Sequence, residues 1–365
     1  MSRERWWRVA PMAAAGASLL GALAAGLARF GWPVPAPPSG GVFFHGAFMI
    51  PGFLGTLIAL ERAAALGVPP AYLVPWVSAA GALCLLLGAK SAGLLLLVLG
   101  SFGLLALYGR IYRIQPALHI VIMGAGAALL AAGNLLAWRG VSLDRPTAWW
   151  AGFLVLTIIG ERLELSRLVR PPRLSVLVLA VACGLVVLGL AVTLVPGGSS
   201  PEAAVAGTRL AGLGFILQAL WGLRQDAARR TARLPGLTRF MALCLLSGYV
   251  WLAVAGVFWL AGSALAGGWA RDAALHSLFL GFVMSMIFGH APVILPVVTG
   301  LAVPFRPSFY LHLGLLHASL LVRVAGTLLG IPAATRWGGL LNVAAVLLFL
   351  VLTARSALSA RQAAS

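Results

Sequence analysis

Six histidines carry most of the chemistry this chain can offer: His45, His119, His276, His290, His312 and His317. His276 and His290 share one apolar run, 272–296. Fourteen residues apart on a helix, they project within about 40° of one face and lie about 21 Å apart along the axis. Imidazole is costly against lipid and needs a partner when buried, so a histidine in a membrane-length segment is a functional-site hypothesis. Heme iron and copper are the groups imidazole binds best in such a setting. Sulfur accompanies three of the six: His45/Met49, His119/Met123 and Met286/His290 are i,i+4 pairs that place a thioether on the face of each imidazole, a donor set suited to Cu(I). The plainer reading is that Met fills cores and that a lone intramembrane histidine packs or relays protons.

The elements that must position these residues follow from composition. The 365 residues are 61% hydrophobic and 9% charged, with mean hydropathy +1.00, which excludes a soluble globular protein. Apolar runs of spanning length predict an all-α polytopic membrane protein of twelve transmembrane helices in one bundle, at 7–29, 42–66, 71–89, 91–109, 116–138, 147–168, 174–195, 202–223, 238–261, 272–293, 307–329 and 336–358. Residues 1–365 then form a single transmembrane domain, with no soluble domain to hold a catalytic site. The basic-then-apolar N-terminal segment also resembles a signal peptide.

A net charge of +18 would point to nucleic acid in a soluble protein; here its distribution points to lipid. Of the 26 Lys and Arg, Arg209 and Arg323 lie within spans, and six (Arg29, Lys90, Arg139, Arg145, Arg271, Arg336) fall on one side. The other eighteen fall on the opposite side, which predicts both termini inside a bacterial inner (plasma) membrane, with the lipid bilayer as partner. Cys84, Cys183 and Cys244 lie in different spans without a CxxC or CxxCH pattern, so iron–sulfur and covalent heme chemistry are not expected.

Topology sorts the histidines into two levels. His45 and His276 lie about four residues inside the outer ends of the second and tenth spans, the placement of bis-imidazole ligation of one heme b. Arg209 and Arg323 share that half. No acidic residue is expected at their depth, Asp272 being read as a surface N-cap, so heme propionates are the anions these arginines await. His119, His290, His312 and His317 form an inner level, a set for copper or a second heme if they converge. Pro51-Gly52 is expected to break the second helix. Glu61-Arg62 and Glu161-Arg162 lie one hundred residues apart and read as self-neutralised interfacial pairs. With about four helices per hundred residues, they hint at a pseudo-threefold repeat placing spans two, six and ten equivalently.

Twelve spans with an outer histidine pair on spans two and ten resemble the large subunit of heme–copper oxidases and nitric oxide reductases. That resemblance implies His45 and His276 as low-spin heme ligands. The chain departs from it in lacking the copper-site histidine of span six and the His-His pair of span seven. Its closer likeness is to the NnrS family, twelve-span bacterial proteins associated with heme, copper and the response to nitric oxide. The likeness is carried by His45-Gly46-Ala47-Phe48-Met49 and by His276, Gly281, Met284, Met286 and Gly289-His290. Gly46 stands where that family tends to have an acidic residue, and no Arg shortly precedes Gly289-His290. The resemblance implies nitric oxide handling, with an electron donor or respiratory complex as partner. Two other functions compete: a metal-free transporter using Arg209 and Arg323 for an anion, and an assembly factor for a heme/copper respiratory complex.

Overall fold

The computed structural model describes residues 3–35, 41–166, 171–194, 201–264 and 268–364, and these contain helices and no strand. Residues 36–40, and Arg167 and Arg170 of the eighteen inner-side basic residues, lie outside the described residues. In chain order the long helices are α1 (Arg3–Arg29), α2 (Gly41–Leu66), α3 (Pro69–Leu86), α4 (Lys90–Ile114), α5 (Leu118–Trp138) and α6 (Asp144–Leu165). There follow α7 (Arg173–Val192), α8 (Pro201–Gln225), α9 (Gly236–Leu260), α10 (Gly268–Thr299), α11 (Phe309–Leu328) and α12 (Pro332–Ala364). Among the described residues, eleven helices are long and apolar enough to cross a membrane. The one of the twelve that falls short is α6, a helix of 22 residues whose ends carry Asp144, Arg145, Glu161, Arg162 and Glu164. The expected boundary at 293 is overrun: α10 continues through Pro292 and Pro296 until Gly300 caps it at φ 73°, a conformation glycine adopts without strain.

The chain divides into two compact units, Met1–Thr157 and Ile158–Ser365, with the boundary inside α6. In the first, Pro51 does not break α2. Because it lacks an N–H, the ladder there widens into a π-helical segment, Phe48–Gly55, and the neighbouring helix supplies a donor: Ser18 Oγ of α1 hydrogen-bonds the Phe48 carbonyl at 2.8 Å. Deeper in the same unit, Trp150 Nε1 donates to Asn134 Oδ1 at 2.9 Å and Asn134 Nδ2 to the Leu97 carbonyl at 3.0 Å, tying α6, α5 and α4 by fully buried polar groups. In the second unit α10 carries its own π-helical segment, Ser277–Met284, directly after His276 and without any proline.

Three helix pairs, α3/α4, α7/α8 and α11/α12, are antiparallel hairpins closed by small residues. A Cβ on Gly81 would meet the Gly93 carbonyl at 2.9 Å, and one on Gly93 would meet the Gly81 carbonyl equally closely. Gly189 and Gly207 oppose each other in the same reciprocal way, and Gly326 and Gly338 sit against the backbone of Thr335 and Arg323. With lipid as apolar as leucine, close backbone approach is what holds such pairs.

Candidate functional site

The polar interior of the second unit gathers at the two ends of α10. At its N-terminal end, Arg323 of α11 grips Asp272 with two hydrogen bonds, Nε to Oδ2 and Nη2 to Oδ1, both 2.7 Å. His276 Nδ1 faces the Asp272 carbonyl at 2.9 Å and its carboxylate at 3.2 Å, and Arg323 Nη2 points at His276 Nε2 from 3.2 Å. Two expectations are corrected here. Asp272 is not a surface N-cap: α10 begins four residues earlier, so the carboxylate is turned into the fold. Arg323 therefore meets its anion within the protein and awaits none from a cofactor.

At the other end lies an assembly the sequence reading missed. Arg162 of α6 donates from Nε and Nη2 to the two carboxylate oxygens of Asp226, each at 2.8 Å, and Nη1 lies 3.4 Å from His290 Nε2. Tyr249 of α9 adds its hydroxyl to Asp226 at 2.7 Å, and the Ala228 N–H adds a fourth bond at 2.9 Å. The tyrosine fits because Gly222 offers no Cβ where the ring lies. Asp226 sits in the α8–α9 linker, outside the spans. Burial there works against its charged form, but the hydrogen bonds and charge of Arg162, helped by Ala228 and Tyr249, outweigh it and hold the carboxyl below its ordinary value. The two Glu-Arg pairs thus differ. Arg62 does bond Glu61, at 2.7 Å, whereas Arg162 turns inward to Asp226.

Three imidazoles share one orientation. Nδ1 of His45, His276 and His290 lies 2.6, 2.9 and 2.7 Å from the carbonyls of Ala22, Asp272 and Met286. A carbonyl only accepts, so each Nδ1 carries a proton, the arrangement that orients ligating histidines with Nε2 toward the bound group. His45 reaches Ala22 because Gly26 of α1 is small enough for the ring to lie against it.

Among the described residues no three His, Cys, Asp or Glu side chains gather in a metal-binding group. His317 accepts the Trp251 indole N–H on Nδ1 at 3.0 Å and lies 3.5 Å from Ser285 Oγ on Nε2, so both its nitrogens are engaged. His312 is enclosed by Phe240, Phe288, Phe309 and Phe349, with ring centroids 4.7 to 5.9 Å away, and neither nitrogen has a hydrogen-bond partner among the described residues. His119 and Met123 are buried in the first unit, where Met49 is half-buried. Met286 packs against Gly248 of α9, filling space. Arg209 is exposed: the rotation of α8 puts it on the outward face, where its long stem can reach the interface, so it needs no buried anion.

Among the described residues, eleven helices long and apolar enough to cross a membrane, by length and composition, make this a multi-pass helical membrane protein. The chain belongs to the family described as Domain of unknown function (DUF8744), whose model matches residues 8–358. No curated protein and no solved structure matches it.

Proposed function

We propose that this chain is a twelve-span protein of a bacterial inner membrane, N-in and C-in, that holds heme b through His45 and His276 and serves in nitric oxide handling or relief of nitrosative stress. One observation carries the reading: in two helices from distant parts of the sequence, a histidine with Nδ1–H pinned to a carbonyl stands at the head of a π-helical segment. Segments of that kind concentrate at functional sites. The three glycine-closed hairpins recur every fourth helix, in keeping with the proposed pseudo-threefold repeat.

The donor set fits heme at His45, whose Nε2 is the ligating nitrogen. At His276 the same nitrogen faces Arg323, which would give up one hydrogen bond and stay neutralised by its two bonds to Asp272. Heme held by both histidines would supply one-electron transfer, and nitric oxide would be taken at an open position of the inner level. In the inner level, His312 is the candidate cofactor ligand, because a buried imidazole with both nitrogens unsatisfied costs about 1–3 kcal/mol per group that a bound partner would relieve. The His119/Met123 and Met286/His290 pairs keep copper as the second cofactor of this proposal, tested by metal analysis of the purified chain. The anion-transporter reading loses its basis with Arg323 neutralised and Arg209 exposed.

The test is a reduced-minus-oxidised absorption spectrum of the purified full chain produced with adequate iron. A b-type signal is expected, abolished by His45→Ala and by His276→Ala in protein that still elutes as a folded species; its absence from the wild-type chain rejects the reading. Nitric oxide turnover by the heme-loaded chain would separate a catalyst from an assembly factor.

A further inference from the structure

We propose that the linker between α8 and α9 is a binding site for the headgroup of an anionic phospholipid, held by Arg224, Arg229, Arg230, Arg233 and Arg239. Heme plays no part in it.

All five arginines are exposed, and the one acid in the stretch, Asp226, is buried among them. Its carboxylate oxygens are taken by Arg162, Tyr249 and the Ala228 N–H, so its charge is spent on the interior. Among the described residues no ion pair engages any of the five guanidinium groups. The outward surface of the linker is therefore an uncompensated cation.

The arginines are also held in place. The bonds to Asp226 fasten the start of the linker to α6 and α9. Helical hydrogen bonds then run from Arg230 N, on the Ala227 carbonyl, to Leu234 N, on that of Thr231. On such a turn Arg229 and Arg233 are i,i+4 neighbours, and Arg230 and Arg233 are i,i+3 neighbours, so the three share one side. Like charges at that spacing repel, and an anion between them turns the repulsion into attraction.

Depth selects a lipid. Both α8 and α9 are of spanning length, so the ten residues between them, 226–235, lie at the membrane surface. Leu213, Leu220 and Arg224 follow one another on one face of α8 at spacings of seven and four, all exposed, so the lipid-facing stripe of that helix ends in a guanidinium. Leu234, half-exposed, sets a further apolar side chain beside Arg233. Leucines for acyl chains next to cations for a headgroup fit a phospholipid better than a soluble acidic partner. A zwitterionic headgroup carries an ammonium as well as a phosphate, and the linker has no exposed carboxylate to receive it. An anionic headgroup such as phosphatidylglycerol brings the phosphate alone, which guanidinium binds bidentately.

The experiment places the full chain in phosphatidylcholine nanodiscs doped with a photoactivatable phosphatidylglycerol and maps the crosslinks by peptide mass spectrometry. Crosslinks are expected to concentrate in residues 213–239 and to be competed by unlabelled phosphatidylglycerol, not by phosphatidylethanolamine. Arg229→Gln/Arg233→Gln is expected to weaken binding about thirtyfold and Arg230→Gln alone about fivefold, at the usual strength of one arginine near an anionic surface. The single variant carries the test if the pair does not fold. Arg355→Gln/Arg361→Gln removes the same charge from exposed positions of α12 that share no face, and is expected to leave the linker crosslinks unchanged. Crosslinks spread evenly over the basic helix ends, equal competition by phosphatidylethanolamine, or an equal loss in the α12 pair each overturns the proposal. The last would reduce the linker to one part of a diffuse basic surface.

Discussion

The two ends of α10 carry the same triad, an aspartate clamped by arginine with a histidine Nε2 facing the guanidinium, yet they are built in different ways. At the N-terminal end the carboxylate and the imidazole are four residues apart on one helix, and only Arg323 is brought in from elsewhere. At the C-terminal end every member comes from a different segment: Arg162 from α6, Asp226 from a linker, Tyr249 from α9 and His290 from α10. Burial differs too. The Asp272 side chain is 19% exposed and that of Asp226 is 2% exposed. A local triad can relax into the interface when a member is lost, whereas an assembled and buried one cannot. The inner cluster is therefore the stability element, and the outer one has the slack to exchange a partner.

That contrast sets the order of the mutational effects. Asp226→Ala strands the buried Arg162 guanidinium and is expected to cost about 3–5 kcal/mol, read as a large fall in thermal midpoint and in yield of folded protein in detergent. Asp272→Ala is expected to cost less, about 1–3 kcal/mol, because water reaches its site and screens what remains. Equal costs at the two ends would break the comparison. Acidification sharpens it. Asp226 is held below its ordinary value, so its contribution is fully present above the unfolded carboxylate pKa of about 4 and is lost as pH falls through the lower folded value. Thermal midpoints from about pH 6 to about pH 3 should fall in the wild-type chain with a component missing from Asp226→Asn. A slope that Asp226→Asn leaves intact would assign acid sensitivity to other carboxylates.

The same contrast explains what could be read from the sequence. Spanning runs are local properties, and helices formed over each of the twelve expected ranges, with α6 the least apolar because its ends hold five charges. His45 and His276 stood out because imidazole in an apolar run is locally conspicuous. Asp226 did not: it lies in a basic linker, and Arg162 is 64 residues away, so nothing local marks the pair. Asp272 and His276 had the right spacing to be read together, but a start for α10 set four residues too late made the aspartate look like a cap. Arg209 was misplaced because spacing gives depth along a helix and leaves its rotation open. Of the two π-helical segments, Pro51 hinted at one; Ser277–Met284 has no proline to announce it.

The smallest expected effect tests whether the two π-helical segments are held in the same manner. In α2 the support comes from a side chain of another helix, Ser18 Oγ on the Phe48 carbonyl, and Gly52 lies against that hydroxyl. In α10 the ring of Trp251 occupies the space left by Gly281 while its N–H bonds His317. Ser18→Ala removes a hydrogen bond but no packing, whereas Trp251→Phe keeps most of the aromatic surface and leaves His317 Nδ1 without its donor. In membrane interiors such bonds average about 0.6 kcal/mol, so Ser18→Ala should lower the thermal midpoint slightly. Trp251→Phe should cost more, about 1–3 kcal/mol, because it strands a half-buried acceptor as well as thinning the packing on the π-helical segment. If Ser18→Ala proves the more damaging, the Phe48 carbonyl of α2 is the critical group, and the likeness between the two segments is one of shape without a common means of support.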